Sequence, residues 1–481
     1  MTESVRGVWP LLAAGLFACA SVSPAPEPRQ GPTWLRLESE HFVLYTDQRE
    51  QTARDTILSF ERLLAAYEQL GSLPGGELTL KKDVAVLDRM AEYVTYSNDP
   101  RGFQLRAAAF EPMIVMPNGP SDQWAILKHE LTHALAYHSL PDQPAWFAEG
   151  LAVYFQTARF DDDSHLVVGE APGDLREVLE SAGSQPASKL LSAESPELRS
   201  QFYASAWLLV HYLMSQHPDG FARLRDGFAR GLSRDAAWAE AFPELSVDQL
   251  DQELASYLAS GDFASRIHPV QPYAGAAPRV TALSRADLHA LRGRLLLSCP
   301  SCGSEQFIDS TENVEQALRR DPKHLDATLL RIPRLPAEER MNATHALIQA
   351  HPEAWQAWTL LALAEQSEPS RGGHCSPLTR KRLATFGANS AYAEMLSAVC
   401  QAAEGKNQEA VATSEQAARR QPADSELLMM QASVLLQLHE CDALHQLLPR
   451  LRSASHPQVA TNLMTAFEAC RESAQRRSHV Q

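Results

Sequence analysis

Apolar and polar positions alternate near the start of the chain and then change period. Trp34-Leu35-Arg36-Leu37 and His41 to Thr46 set aliphatic, β-branched and aromatic residues against polar ones, which predicts two short strands. From Ala53 the apolar positions Ile57, Phe60, Leu64 and Tyr67 recur at helical spacing, with Asp47 and Glu50 as a capping box ahead of them and Gly71 as the stop. Two more strands are predicted at Asp83 to Leu87 and Met113 to Met116, the second ended by the breaker Pro117 to Pro120. Ser121 then caps a helix carrying Trp124, Leu127, Leu131 and Leu135, and Pro144 opens another that runs through Phe155. After the acidic stretch Asp161 to Asp163 the pattern is mostly helical to about Arg266, including Tyr203 to Leu213 and Leu250 to Leu258. The composition of the next stretch, rich in Pro, Ala and Gly, predicts a linker over 267–280.

The rest, 281–481, is helical in pattern and periodic. Pro352, Gly387, Pro422 and Pro457 are breakers 35 residues apart, with Pro322 lying 30 before the first. The period is similar to that of a tetratricopeptide array, in which each helical hairpin leaves an apolar face that only its neighbour covers. Generic helical hairpins are the plainer reading of the same period. Repeat phase also sorts the cysteines: Cys400 and Cys470 fall near the end of a first helix, Cys375 and Cys441 near the start of a second. In an antiparallel stack those positions face each other, so the expected bridges are Cys375 to Cys400 and Cys441 to Cys470. Cys299 and Cys302 are candidates to close on each other at a hairpin turn, and buried free thiols are the alternative for all six.

One motif carries chemistry. In His129-Glu130-Leu131-Thr132-His133 the two histidines lie four apart on one helix face, with Cβ atoms about 5 to 6 Å apart, so both imidazoles can reach a single zinc ion. Glu130 lies beside them, placed to take a proton from an activated water. His138 falls on a different face and reads as a surface residue.

The motif is followed by Pro144-Ala145-Trp146-Phe147-Ala148-Glu149-Gly150-Leu151-Ala152-Val153-Tyr154-Phe155. Together these segments resemble the gluzincin metallopeptidases of the peptidase MA-like group, in which the motif is followed by Trp-x-x-Glu-Gly-x-Ala-x-Tyr. The resemblance implies Glu149 as the third ligand, one zinc per chain, and hydrolysis of peptide bonds. Two imidazoles and one carboxylate leave a fourth position for water. The segment between His133 and Glu149 holds only 15 residues, fewer than in thermolysin-like members, and Val153 stands where those members carry an acidic group. Phe202-Tyr203-Ala204-Ser205-Ala206 resembles the Tyr-x-x-Gly-Ala helix of aminopeptidase-like gluzincins, which makes Tyr203 a candidate oxyanion donor, with a core tyrosine as the alternative.

Composition and the amino terminus set the context. With 44% hydrophobic and 21% charged residues the chain has the make-up of a folded protein. A net charge of −16, from 43 basic and 59 acidic residues, argues against a nucleic-acid partner. Arg6 precedes the apolar run Val8 to Ala18, too short to span a bilayer, which reads as a signal peptide. Leu16-Phe17-Ala18-Cys19 resembles a bacterial lipobox with Cys19 as the lipidated residue, and cleavage after Ala20 is the alternative. The expected organisation is a signal at 1–19, a tether at 20–32, an α+β gluzincin-like domain with a small mixed sheet at 33–266, the linker, and an all-α TPR-like solenoid at 281–481. The expected protein is an exported zinc peptidase, held to a bacterial envelope membrane by its lipid alone, that acts on peptide or protein substrates. A silent lipoprotein that binds protein partners through its repeats, and a zinc hydrolase of non-peptide amides, are the alternatives.

Overall fold

The structure, a computed structural model, describes residues 33–70, 81–97, 103–105, 110, 113–119, 124–140, 143–193, 200–230, 232–297, 304–368, 374–388, 390–420, 424–454, 467, 468 and 470. Cys19, Cys299 and Cys302, the signal, the tether and the Ser121 cap lie outside them.

The fold is mixed α+β. In chain order it runs β1 (Leu35–Glu38), β2 (Phe42–Thr46), α1 (Glu50–Gln69), β3 (Lys82–Leu87), α2 (Met90–Tyr93), β4 (Phe103–Leu105), β5 (Met113–Pro117), α3 (Ala125–Ser139) and α4 (Ala145–Gln156). Next come β6 (Arg159–Phe160), β7 (Leu166–Val168), α5 (Gly173–Ala182), α6 (Ala187–Ser192), α7 (Ser200–Gln216), α8 (Pro218–Ala229), α9 (Arg234–Ala241), α10 (Val247–Ser260), β8 (Arg266–His268) and β9 (Arg279–Ala282). The six-stranded sheet has the order β4-β5-β3-β2-β1-β9, with β2, β3 and β5 mutually parallel and the other pairings antiparallel. A second, antiparallel sheet has the order β6-β7-β8.

Both faces of the large sheet are covered, as parallel strands require. Leu44, Val84, Val86 and Ile114 share one core with Ile57, Phe60 and Leu64 of α1 and Leu127, Leu131 and Leu135 of α3. Ala85, Leu87, Met113 and Val115 point the other way, onto Leu291 and Leu295 of α11 (Arg285–Leu297). Charge reinforces that seam: Arg294 donates to Asp83 at 2.7 Å and Arg292 to Glu92 at 2.8 Å.

From α11 onward the chain is helical: α12 (Ser304–Arg320), α13 (Leu325–Arg331), α14 (Ala337–Ala350), α15 (Trp355–Ser367), α16 (Pro377–Gly387), α17 (Ala391–Ala403), α18 (Asn407–Arg420), α19 (Ser425–Leu438) and α20 (Cys441–Ala454). Pro352 separates α14 from α15, and Gly387 closes α16 just before α17 begins. Two disulfides are formed, Cys375 to Cys400 and Cys441 to Cys470, the pairs expected from repeat phase. They are the bonds of an exported protein or one from an oxidising compartment. Among the described residues no helix is long and apolar enough to cross a membrane.

Two readings differ from the structure. Residues 267–280, expected as a linker, begin and end in strands: β8 pairs with β7 and β9 with β1, so the segment completes both sheets. Asp47 does not cap α1, whose N-cap is Arg49 with no side-chain bond. Asp47 is buried at the carboxyl end of β2, where it accepts from the Asp88 amide at 2.6 Å and Arg89 Nε at 3.0 Å. A buried carboxylate takes the donors it meets in the fold over those nearest in sequence.

Candidate metal centre

Helix α3 is built around the stripe Leu127, Leu131 and Leu135, which is buried against the sheet. Turning that stripe inward brings His129 and His133 to one flank, their rings 4.7 Å apart and nearly perpendicular. Helix α4, buried from Ala145 to Phe155, packs beside α3 and delivers Glu149.

His129 Nε2 and His133 Nε2 lie 3.0 Å apart, and Glu149 Oε2 lies 3.3 Å from the first and 3.5 Å from the second. Their side chains are 15%, 15% and 11% exposed, enough to be reached from solvent and little enough to strip water from the donors. Four ligands at about 2.0 to 2.1 Å around a tetrahedral ion stand about 3.3 Å from one another, so this triangle fits one face of such a tetrahedron. Among the described residues this is the one group of three or more such side chains that could hold a metal ion.

Charge is balanced within the group. Burial opposes ionisation of Glu149, and the two imidazoles overcome it, holding the carboxyl far below the usual carboxylate range. Burial pushes the His133 imidazole down, but the facing Glu149 carboxylate and the charge of Glu130 outweigh it and raise the pKa. Glu130 is therefore close enough for its charge to be felt by the donor set while remaining partly exposed.

The position after Glu149 is a glycine for a steric reason. Helix α7 crosses α4 there, and a Cβ on Gly150 would stand 2.3 Å from the Ala206 carbonyl oxygen. Tyr203 lies one turn before Ala206 on α7, partly buried against the main core and edge-on to Phe202. At the amino end of α4 a 380 Å³ cavity opens between Trp146, Leu191, Phe228, Trp238 and Val247, with Arg234 at its edge. One residue that bears on the site had no signal of its own in the sequence: Gly150, read only as part of its motif.

Fold and site together define an α+β protein with a His-His-Glu donor set on two adjacent helices. Residues 123–231, the segment holding Glu130, Tyr203 and all three donors, match the model of a family described as a protein of unknown function, DUF1570. No curated protein matches the chain.

Proposed function

We propose that this protein is an exported zinc-dependent peptidase, with one zinc per chain held by His129, His133 and Glu149. The observation that carries this reading is the donor triangle of 3.0, 3.3 and 3.5 Å, with a carboxylate one residue from the first histidine. Zinc held there supplies a Lewis acid that polarises the scissile carbonyl and makes water a competent nucleophile near neutral pH. Glu130 takes one proton from the attacking water and passes it to the departing amine, so that the carbonyl carbon gains the hydroxyl and the new amino terminus the hydrogen. Tyr203 donates a hydrogen bond to the oxyanion that develops at the carbonyl oxygen.

Placement and partners belong to the same proposal. Cys19 carries the lipid that holds the mature protein to an envelope membrane, and the TPR-like hairpins offer their surface to a protein substrate or partner. The disulfides support export, and the net charge of −16 supports a protein ligand over a nucleic acid.

The test combines metal analysis with a peptide library, with and without chelator. The expected result is one zinc per chain and hydrolysis that the chelator abolishes. Glu130→Gln keeps the zinc and loses hydrolysis, and an active Glu130→Gln protein excludes Glu130 as the base. Zinc bound with no peptide cleaved overturns the peptidase reading.

A further inference from the structure

At the amino end of α4, helices α4, α6, α8, α9 and α10 leave between them the cavity of 380 Å³. Its floor is apolar and buried: Trp146, Leu224 and Phe228 are each 2% exposed or less. Its walls are firmly packed, since the rings of Trp146 and Trp238 meet edge to face at 6.1 Å and those of Phe228 and Phe147 do so at 5.2 Å. Towards solvent the lining ends in exposed Val247 and Asp235. That size, with an apolar lining and a few polar groups at the mouth, suits a small organic ligand or one large side chain.

The charges at the mouth narrow the occupant. Arg234 is half-buried, and among the described residues it pairs with no carboxylate; its one hydrogen bond goes to the Ala193 carbonyl oxygen at 3.3 Å. A guanidinium presents five donors in a planar fork that matches a carboxylate, so most of this fork is left for a ligand. Asp235 follows in the first turn of α9, where the helix dipole favours its charge, and it can accept one N–H. Its negative charge would repel a phosphate or a dicarboxylate. An apolar group, a single carboxylate and an N–H on one carbon are what the last residue of a peptide offers.

We propose that this cavity binds the carboxyl-terminal residue of a peptide with a large apolar side chain. The side chain lies among Trp146, Phe228 and Trp238, the carboxylate on Arg234, and the last peptide N–H donates to Asp235. The site needs no metal, so this inference goes beyond the zinc reading of His129, His133 and Glu149 and does not depend on it.

The full chain is titrated calorimetrically with N-acetylphenylalanine, in excess chelator so that no metal competes for the carboxylate. One saturable site is expected. N-acetylphenylalaninamide, which lacks the charge, and N-acetylglycine, which lacks the side chain, are each expected to bind about 10- to 100-fold more weakly. Arg234→Gln brings acid and amide to equal affinity. Val247→Trp fills the mouth from an exposed position and abolishes binding at a parental melting temperature, which keeps the test decisive if Arg234→Gln folds poorly. No saturable binding, equal affinity of the parent for acid and amide, or parental affinity in Val247→Trp each overturns the proposal. Zinc content and hydrolysis are measured without chelator, so failure of the zinc reading is seen separately.

Discussion

Gly150 of α4 lies directly against Ala206 of α7: a Cβ built on the glycine would stand 2.3 Å from the Ala206 carbonyl oxygen and 2.7 Å from Val210 Cγ2. The clash is with backbone, so it is relieved only by moving a helix. Alanine in a helix interior normally gains about 0.5 to 1 kcal/mol over glycine, but forced overpacking costs about 1 to 3 kcal/mol. The crossing therefore decides the sign, and Gly150→Ala is expected to destabilise the protein in urea unfolding and to weaken zinc binding by displacing Glu149. Gly173→Ala, at the start of α5 where nothing stands within 4 Å, is expected to be neutral or slightly stabilising.

Tyr203 stands on α7 three residues before Ala206, which meets Gly150 of α4. If its hydroxyl serves the oxyanion, Tyr203→Phe lowers kcat by about 10²- to 10³-fold with zinc content and KM little changed. A loss of melting temperature with kcat unchanged would instead assign Tyr203 to packing.

What the sequence revealed is local in origin. The donor motif, the helices that carry it and the strands β1, β2, β3 and β5 follow from residues within a few turns of one another, where period and spacing are read directly. The disulfide pairs were legible because repeat phase converts sequence distance into helix position. Strands β8 and β9 were not, since Arg266–His268 and Arg279–Ala282 owe their extended form to partners roughly a hundred or more residues away and sit in a stretch with the composition of a tether. The polar role of Tyr67 is hidden for another reason: in the stripe Ile57, Phe60, Leu64 and Tyr67 a phenol reads like any other apolar position, and only the fold supplies the Phe155 carbonyl as the partner of its hydroxyl.

A buried histidine sets an acid limit on stability. His211 of α7 is fully buried among Trp207, Tyr154 and Phe263, with Nδ1 2.9 Å from the Tyr257 hydroxyl. Burial, helped by the charge of Arg266 and opposed by Ala264 and Asp262, pushes its pKa down from 6.5 to about 4. Between those values the unfolded chain takes up a proton that the folded chain refuses, so this contribution is complete above pH 6.5 and is lost as pH falls towards 4. Melting temperature is expected to drop across that window and to drop less steeply in His211→Gln. His289 and His268 are shifted in the same direction, so the slope is reduced and not removed.

The two disulfides staple the carboxy-terminal helical region and leave the donor helices alone. Cys375 lies two residues before α16 and Cys400 near the end of α17, so their bond ties the start of one helix to the end of the next across a separation of 25 residues, and Cys441, at the start of α20, is tied to Cys470 across 29. Closing loops of that length removes unfolded-state entropy equivalent to about 3 to 4 kcal/mol each. Cys375 and Cys400 lie in one core with Leu361 of α15, Leu383 of α16 and Leu396 of α17, so the loss is felt across those helices. Replacing Cys375 and Cys400 together by alanine, which leaves no polar group in a buried position, is expected to raise hydrogen exchange across α15 to α18. Exchange in α3 and α4, and zinc affinity, stay at parental values. Faster exchange in α3 and α4 would show instead that the carboxy-terminal helices support the donor site.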